Sequence, residues 1–474
     1  METPSAIGTS GAEIFSRRPV RAIQSACEKV PAMTRVALLL IGAIVVLFGA
    51  PGAGAEKRVR PADRLRQGFG ESAVASAKAE AQSQGNERRR AIAPAGIKPV
   101  GPYSPGILAG DFLYVSGQGG RDADGKLPGT IEGQARQTLQ NVKAIVEAAG
   151  LTMEHVVYSQ VYLTDMAHHD AMDRVWKEFF SKAPPARAVL GVYKLPTDIA
   201  VEINAVAFRD LARKRRIVPA GYPQNLSWSP GVMAGNRLYL SGFVGANVAD
   251  GRIPHDADAQ VQLALDNMKQ TLAAAGMDFR HVVFVNPYLS DNASSKMNDI
   301  YAKHFEFGNT PARATIRVTS LPGGNTIEFT GVAVSDLSKR IAIRPKNMSP
   351  SATASPCVFA DDTYYCSAKG PFTPGPARLQ GIWVGTVEAQ VRQTMRNLLD
   401  GLEEAGLTFS NVVATNVYLD DINDFARMNR IYAQYFSGTP PARTTVAQLA
   451  PADRTPRNED TFPGLEQISL IAVK

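Results

Sequence analysis

The chain has 474 residues, of which 45% are hydrophobic and 20% are charged, and its formal net charge is +7. These are ordinary globular proportions, so they exclude a largely disordered chain, and the length suits about three domains of roughly 150 residues. Much of the positive charge lies in clusters at residues 58–66, 87–90 and 213–216. We interpret these clusters as solvated tails and linkers; nucleic-acid binding is the alternative, but no aromatic residues interleave the charges.

The N-terminal segment carries a targeting signal. An apolar run of 15 residues, 36–50, follows Arg35, and the small residues Ala53-Gly54-Ala55 come shortly after it. The run is shorter than the roughly 20 residues that a membrane span needs. We therefore predict a secretory signal peptide cut after Ala55, export to the periplasm and no stable membrane span after cleavage. An uncleaved inner-membrane anchor at residues 36–50 is the alternative, and Met33 is a second candidate start.

The next segments alternate between sheet and helix patterns. After the leader at residues 1–55, a polar stretch at 56–92 predicts a flexible extension. Two β-rich runs, 107–109 and 112–116, flank a Gly-Asp turn and predict a hairpin. A 3.6-residue apolar period then predicts a helix over 132–149. A strand over 156–163, a helix over 168–180 and strands over 188–193 and 201–208 complete the series. This order predicts an α+β domain whose two helices cover one face of a sheet, while a neighbouring repeat covers the other.

The first helix recurs twice more. Its apolar spacing of 4, 3, 4, 3 begins at Ala135, Val261 and Val391, so the offsets are 126 and 130 residues. A Pro-Ala-Arg motif keeps the same two offsets, ending at Arg187, Arg313 and Arg443. Because two unrelated landmarks stay in register, we predict three tandem domains at residues 93–209, 220–335 and 343–474.

Two cysteines of the third repeat are candidates for a disulfide. Cys357 and Cys366 flank residues 358–365. If Asp361-Asp362 forms a two-residue hairpin turn, the cysteines are a directly opposed, non-hydrogen-bonded pair, where side chains come closest. We predict a bridge, which an exported protein permits. Two buried free thiols are the alternative.

Seven short motifs of repeat 1 carry a family resemblance. They are Gly101-Pro102-Tyr103-Ser104, Tyr114-Val115-Ser116-Gly117-Gln118, Gln134-Ala135-Arg136-Gln137, residues 141–150, residues 161–165, Pro185-Ala186-Arg187 and Val201-Glu202-Ile203. Together they resemble the reactive intermediate deaminase family, RidA, also called YjgF. The resemblance continues, more weakly, through repeats 2 and 3. It implies a chorismate-mutase-like α+β fold and, because family members are homotrimers with clefts between subunits, an intramolecular pseudo-trimer formed by a monomeric chain.

The resemblance also implies a reaction. The family hydrolyses 2-imino acids to 2-keto acids and ammonia, without a metal or organic cofactor. Its small anionic imino or keto acid needs a fixed cation, and a guanidinium grips a carboxylate with two parallel bonds. A carboxylate then holds and polarises the attacking water.

The resemblance places the site residues repeat by repeat. In repeat 1 the carboxylate-binding arginine is Arg187, the water-positioning glutamate is Glu202 and the cleft tyrosine is Tyr103, with main-chain contacts near Ser116 and Gly117. We group these five residues in one working cleft.

Repeat 2 keeps the two charged site residues, Arg313 and Glu328. Trp228 stands at the tyrosine position, Ser241 and Gly242 form the main-chain contact, and Phe243 replaces Gln118. A second, bulkier catalytic cleft is expected there.

Repeat 3 departs further from the pattern. Arg443 is kept, but Ala354 stands at the tyrosine position and Gln467 at the glutamate position, with Glu466 one residue out of phase. A one-residue shift in a strand turns a side chain to the other face, and a glutamine cannot act as a base. We predict a degenerate site that is kept to close the pseudo-trimer.

Two other functions use the same residues differently. A non-catalytic protein would bind small carboxylates at the same clefts through Arg187 and Arg313, because fold alone does not fix function. A ribonuclease ranks last and no nucleic-acid partner is expected, since the basic clusters lie in tails and linkers.

Overall fold

The computed structural model describes residues 89–224, 226–290, 293–346, 348–374, 381–456 and 461–474. The predicted signal peptide, its cleavage site, the alternative anchor and residues 56–88 of the predicted extension lie outside the described residues. Within the described ranges, none of the helices has the length and apolar character needed to cross a membrane.

Repeat 1 contains the strands and helices that its sequence pattern predicts, preceded by a strand at residues 89–92 that was not predicted. The strands are β1 (Arg89–Ile92), β2 (Gly106–Ala109), β3 (Phe112–Gly119), β4 (Val156–Leu163), β5 (Ala186–Gly191) and β6 (Val201–Phe208). The helices are α1 (Ile131–Ala148) and α2 (His169–Phe179). The predicted hairpin, both helices and the last three strands are confirmed, with β5 beginning slightly earlier than expected.

Repeats 2 and 3 follow the same order. Repeat 2 has β7 (Lys214–Ile217), β8 (Gly231–Ala234), β9 (Arg237–Val244), α3 (Ala257–Ala274), β10 (Val282–Leu289), α4 (Met297–Ala302), β11 (Ala312–Arg313), β12 (Ile316–Arg317) and β13 (Ile327–Val334). Repeat 3 has β14 (Arg340–Ile343), β15 (Cys357–Ala360), β16 (Thr363–Lys369), α5 (Val387–Glu404), β17 (Val412–Leu419), α6 (Phe425–Tyr432), β18 (Ala442–Ala447) and β19 (Glu466–Val473).

Each repeat builds one mixed sheet. The strand order in repeat 1 is β1-β2-β3-β6-β4-β5, and repeats 2 and 3 have the corresponding order. Strands β4 and β5 run parallel, as do β17 and β18 and, in repeat 2, β10 with both β11 and β12, while the other paired strands are antiparallel. The Pro-Ala-Arg motif therefore leads into the edge strand of its sheet.

The long helix of each repeat fixes the loop that follows the second hairpin strand. Helix α1 begins after Thr130, whose side chain accepts a hydrogen bond from Gly133 N. Its apolar stripe is buried on the sheet, and Asn141 donates from Nδ2 to the main-chain oxygens of Gly119 and Arg121, at 2.9 Å each. Asn267 and Asn397 make the same pair of contacts in repeats 2 and 3.

The opposite faces of the three sheets share one apolar core. Equivalent buried tyrosines from the three repeats meet in two groups, one of Tyr162, Tyr288 and Tyr418 and one of Tyr114, Tyr239 and Tyr365. Each repeat touches both of the others: Gly191 N donates to Ser320 O at 2.9 Å, Ala447 N donates to Lys194 O at 2.9 Å, and Arg237 pairs with Asp362 at 2.5 Å. These contacts are compatible with the expected pseudo-trimer.

The charged residues before each repeat are part of the fold, which corrects two expectations. Strands β1, β7 and β14 pair antiparallel with the strand that follows each of them. Each sheet therefore includes residues that precede the predicted starts at 93, 220 and 343, and residues 89–92 are strand rather than flexible extension.

The basic cluster at 213–216 is also not a solvated linker. Lys214 Nζ donates to the main-chain oxygens of Glu154 at 2.5 Å and Val156 at 2.9 Å, both in repeat 1. In the equivalent position, Arg89 donates to Ser410 O and Thr439 O of repeat 3. Arg340 donates to Val282 O of repeat 2 in the same way. The first cation of each repeat thus binds the main chain of the repeat that precedes it in the ring.

The hairpin of β15 and β16 has the predicted register. Cys357 lies opposite Cys366, and the two form a disulfide with their Cα atoms 4.0 Å apart. Asp361 in the turn has a φ of 62°, a left-handed conformation that glycines adopt in the other two repeats. The alternative of two free thiols is therefore wrong.

Candidate active-site clefts

The candidate site residues come together between repeats, because the loop before β2, β8 or β15 lies against the Pro-Ala-Arg motif of another repeat. Ser229 N donates to Pro185 O, Ser355 N to Pro311 O and Ser104 N to Pro441 O, each at 3.0 Å. We name the resulting clefts by their two repeats: 1/2, 2/3 and 3/1, where the first repeat supplies the arginine and the second supplies the glutamate position.

This arrangement corrects the predicted grouping. Arg187 does not share a cleft with Tyr103 and Glu202. It lies in the 1/2 cleft, where its main-chain N–H donates to Ser241 Oγ at 2.7 Å and its charge acts on Glu328. Glu202 and Tyr103 instead share the 3/1 cleft with Arg443, whereas the sequence predicts Arg443 to lie in the degenerate site.

The residues predicted for one degenerate site are also divided. Ala354 and Gln467 line the 2/3 cleft together with Arg313. Arg313 is therefore separated from Glu328, its predicted partner. Its main-chain N–H donates to Ser367 Oγ at 2.8 Å, in the third repeat.

The 3/1 cleft holds an arginine, Arg443, that forms no ion pair with any described residue. The cleft has a volume of about 250 Å³, and its lining includes Tyr103, Gly117, Glu202 and Arg443. The Arg443 guanidinium is buried against the rings of Tyr103, Phe425 and Tyr432, with its Cζ 4.9–5.4 Å from the ring centroids. Among the described residues, none of its three nitrogens has a hydrogen-bond partner. Because a buried donor without a partner is costly, this guanidinium is prepared to receive an anion.

Glu202 supplies the acid of this cleft. Burial raises the pKa of its carboxyl to about 8, although a hydrogen bond with the Thr445 main chain and the charge of Arg443 oppose the rise. The carboxyl lies directly on Gly117, where a Cβ atom would overlap Glu202 Oε1. A carboxyl with a pKa near 8 exchanges protons in both directions close to neutral pH, which suits general acid and base catalysis.

The loop carrying Tyr103 approaches the arginine closely. A Cβ atom on Gly101 would lie 2.7 Å from Arg443 Nη2 and 3.0 Å from Asn429 Nδ2, so only glycine fits there without displacing them. The Tyr103 hydroxyl accepts a hydrogen bond from Val100 N at 3.2 Å, and burial raises the pKa of the phenol. The loop therefore closes one side of the cleft over the guanidinium.

The 1/2 cleft has the same arginine and glutamate but a different charge balance. Arg187 Nη1 lies 2.8 Å from Asp173 Oδ1; the arginine side chain is buried, and the aspartate side chain is 13% exposed. Burial alone would raise the pKa of Asp173, but Arg187, Lys177 and Ser227 outweigh it and lower the pKa to about 2. Burial raises the pKa of Glu328 to about 8, as it does for Glu202. The guanidinium is therefore already paired with an internal carboxylate.

Two further positions differ between the 1/2 and the 3/1 clefts. Trp228 stands at the tyrosine position, and its main-chain oxygen accepts a hydrogen bond from Arg216 Nη2, while Phe243 is buried where Gln118 stands in repeat 1. The Arg187 guanidinium stacks on Trp176, with its Cζ 4.7 Å from the ring centroid.

The 2/3 cleft lacks the glutamate. The strand register sets Gln467 opposite Tyr418, as Glu202 is set opposite Tyr162. Gln467 Nε2 donates to Thr315 O at 3.4 Å. Glu466 faces the other way, where it accepts a hydrogen bond from Thr394 Oγ1 of α5 at 2.5 Å.

Two residues of these clefts, Asp173 and Lys369, were missed from the sequence. Asp173 is equivalent to Asn298 and Asn429, since each of the three follows a buried methionine. Each also lies three residues before the aromatic residue whose ring packs on the arginine. Only the first is charged, a difference visible in the sequence once the helices are aligned. The other missed residue is Lys369, which lines the 2/3 cleft. In the described part of the chain, no group of three or more His, Cys, Asp or Glu side chains is placed to hold a metal ion.

Comparison with known families agrees with the three-repeat organisation. The model of the family described as endoribonuclease L-PSP matches residues 93–209, 222–335 and 345–453. One match falls in each sheet-containing unit.

Individual relatives have the size of a single repeat. A RutC family protein of Pyrococcus horikoshii is 44% identical over 115 residues, which cover 24% of this chain and 91% of that protein. A RutC family protein of Saccharolobus solfataricus is 42% identical over 112 residues, covering 23% and 89%. A 2-iminobutanoate/2-iminopropanoate deaminase of Dermatophagoides farinae is 36% identical over 115 residues, covering 24% and 90%.

Proposed function

The chain belongs to the RidA/YjgF family, which the endoribonuclease L-PSP model describes, and on that premise we propose that it hydrolyses 2-imino acids to 2-keto acids and ammonia. A relative that is 36% identical carries the name 2-iminobutanoate/2-iminopropanoate deaminase, which supports this reaction class. We assign the reaction first to the 3/1 cleft. The observation that carries the assignment is the unpartnered, buried Arg443 guanidinium in one cleft with Glu202.

The arginine binds and orients the substrate. Its guanidinium donates two parallel hydrogen bonds to the substrate carboxylate, and the aromatic rings around the guanidinium keep water away from these bonds. The imine carbon, one bond from the carboxylate, then lies on the Glu202 side of the cleft.

Glu202 moves the protons. Its carboxyl first protonates the imine nitrogen, and the resulting carboxylate accepts a proton from the water that attacks the imine carbon. The same group then protonates the amine of the carbinolamine. As the C–N bond breaks and ammonia leaves, the hydroxyl proton returns to Glu202 and the C=O bond of the keto acid forms. The cycle consumes one water and restores the protonated carboxyl.

The 1/2 cleft is assigned a weaker version of the same activity. Glu328 is equivalent to Glu202, but a substrate carboxylate has to displace Asp173 from Arg187 before it binds. The 2/3 cleft is assigned none, because Gln467 has no proton to exchange.

The direct test measures ammonia and keto acid released from imino acids that an amino-acid oxidase generates in situ. The full chain is compared with Arg443→Ala and with the matched variant Arg187→Ala. We expect Arg443→Ala to lose at least about 100-fold in rate, since a charged bidentate contact is removed, and Arg187→Ala to keep most of the rate. The reverse ranking moves the activity to the 1/2 cleft. No acceleration over spontaneous hydrolysis leaves the second candidate, a protein that binds small carboxylates through Arg443 without turnover.

We also propose that the chain is exported and cleaved after Ala55. The disulfide between Cys357 and Cys366 supports an oxidising compartment. Cell fractionation followed by N-terminal sequencing tests the proposal. A periplasmic protein beginning at Glu56 is expected, whereas a membrane-bound protein that keeps residues 36–50 supports the anchor.

A single chain is proposed as the working unit. Each repeat already contacts both others through its sheet, so no second chain is needed to complete a cleft. Light scattering on the purified protein is expected to give the mass of one chain at all concentrations tested, and a mass that rises with concentration contradicts this.

A further inference from the structure

We propose that the 2/3 cleft is a separate binding site for a small dicarboxylate, with Arg313 holding one carboxylate and Lys369 holding the other. The cleft has a volume of about 450 Å³. It uses none of the residues assigned to the deaminase reaction, so this inference does not rest on that function.

The charge of the cleft is of one sign. Arg313 and Lys369 both line it, and its described lining residues include neither aspartate nor glutamate. The 3/1 cleft differs, because Glu202 and Asp122 line it beside the basic residues. Two cations without an acid leave a net charge of about +2, which a dianion compensates and a monoanion only halves.

Among the described residues, Lys369 has no anionic partner. It ends β16 at the position of Gln118 and Phe243 in the other repeats. Within the described ranges, the hydrogen-bond partner of its Nζ is the weak acceptor Met348 Sδ, at 3.8 Å. Burial lowers the pKa of the ammonium to about 8, because the charged form loses solvation. A ligand carboxylate beside Nζ removes this penalty.

Arg313 is held in place without losing its charge. Its Nη1 donates to Asn298 Oδ1 at 2.8 Å, and its Cζ lies 5.2 Å from the centroid of the Tyr301 ring. Because Asn298 is neutral, the guanidinium keeps the full charge that Arg187 shares with Asp173 in the 1/2 cleft. Its planar donors suit a carboxylate, while the lysine provides a point charge for the second one.

The 2/3 cleft differs from the other two clefts both at the glutamate position and at the glycine position that the glutamate contacts. In the other clefts a glutamate carboxyl lies on a glycine, Gly117 or Gly242, where no Cβ fits. Ala368 stands at that position in the 2/3 cleft, and Gln467 turns its amide to Thr315 O. The pair of changes removes proton exchange and leaves room, so we infer binding rather than turnover.

The experiment is calorimetric titration of the full chain carrying Arg443→Ala, which silences the 3/1 cleft. The probes are succinate, glutarate, butanoate and inorganic phosphate. We expect one succinate or glutarate site, which Lys369→Gln weakens at least about 10-fold while Lys369→Arg largely restores it. Lys369→Gln introduces the residue that the 3/1 cleft has at this position, and Lys369→Arg, which keeps the positive charge, is its matched control.

Butanoate separates the two cations. Its weak binding is expected to change less than about 2-fold in Lys369→Gln and to disappear in Arg313→Gln, because only the arginine contact remains for a monocarboxylate. Unchanged succinate affinity in Lys369→Gln, with an unfolding midpoint equal to that of the parent, overturns the proposal. Tighter binding of phosphate than of either dicarboxylate overturns the assigned ligand class. The deaminase proposal is judged on Arg443 and Glu202 in the native background, so the two failures are distinguishable.

Discussion

The 3/1 and 1/2 clefts carry an equivalent arginine and an equivalent buried glutamate, and the difference that changes the charge around the arginine lies at one position of one helix. Where the 3/1 cleft has the amide of Asn429, the 1/2 cleft has the carboxylate of Asp173, 2.8 Å from Arg187. Amide and carboxylate have nearly the same shape, so the fold is unaffected. The charge available to a ligand does change, because an arginine paired with an internal acid attracts an anionic ligand less than an arginine stacked between aromatic rings.

This difference shows that three copies of one sequence motif do not give three copies of one binding site. Arg187, Arg313 and Arg443 end the same three-residue motif, but Arg187 pairs with an acid and Arg313 with a neutral amide, whereas Arg443 stacks on aromatic rings in the cleft of Glu202. Only the surroundings distinguish the three. Each prediction below changes one element of this comparison.

The largest effect is expected from neutralising the glutamate of the 3/1 cleft, compared with neutralising the glutamate of the 1/2 cleft. Glu202→Gln should lower the deaminase rate by about 10²–10⁴-fold, the usual contribution of general acid and base catalysis. Glu328→Gln should lower it by less than about 2-fold, because the 1/2 cleft contributes little. Steady-state rates of ammonia release compare the two matched variants. Equal losses would show that both clefts work at similar rates.

Opening the 1/2 cleft is expected to have the next largest effect. Asp173→Asn gives the 1/2 cleft the amide of the other two, and Arg187 becomes available. In an Arg443→Ala background, this change should raise the residual activity about 10-fold, since a substrate no longer competes with an internal acid. An activity that stays at the Arg443→Ala level would assign the weakness of this cleft to Trp228 and Phe243 instead.

The pH profile of the 3/1 cleft follows from the raised pKa of Glu202, about 8. The proposed cycle starts with the protonated carboxyl, which is present below that pH and lost above it. In Glu328→Gln chains, kcat/KM should therefore fall about tenfold per pH unit above 8. A profile that keeps rising beyond pH 9 would show that Glu202 starts the cycle as a base.

The smallest expected effect concerns stability and uses Glu466, a buried acid without an arginine. Burial raises its pKa to about 8 from a usual 4.5, so the folded chain holds a proton that the unfolded chain releases. The free energy of unfolding therefore decreases as pH rises from 4.5 to 8. Glu466→Gln removes this term and should stabilise the chain by about 1–3 kcal/mol at pH 7, with less benefit at pH 5. Denaturant unfolding at both pH values measures it, and an equal effect at the two would contradict the shift.

Local features of this chain were predictable from the sequence because they depend on neighbours along the chain. The helix over 131–148, the strand over 156–163, the opposed cysteines and the phase of Gln467 all follow from periodicity or from counting along a strand. The charged strand at 214–217 was missed, since Lys214 binds the main chain of repeat 1 and the strand's charged residues do not alternate with a buried face.

The composition of the clefts was not predictable in the same way. The arginine begins an edge strand and the glutamate begins a central one, so their distance depends on how whole sheets pack. We grouped Arg187 with Glu202 because they share a repeat, whereas the sheets pack so that each arginine meets the glutamate position of another. Asp173 was overlooked because a single amide-to-acid change leaves the helix pattern intact.

The 3/1 cleft is built by the first and the last repeats. Tyr103 and Glu202 are synthesised well before Arg443, and Arg89 binds the main chain at Ser410 and Thr439, which also belong to repeat 3. A chain cut short after repeat 2 would contain the arginine and the glutamate of the 1/2 cleft but no Arg443. The 3/1 cleft therefore forms only after repeat 3 has been synthesised and has docked on repeat 1.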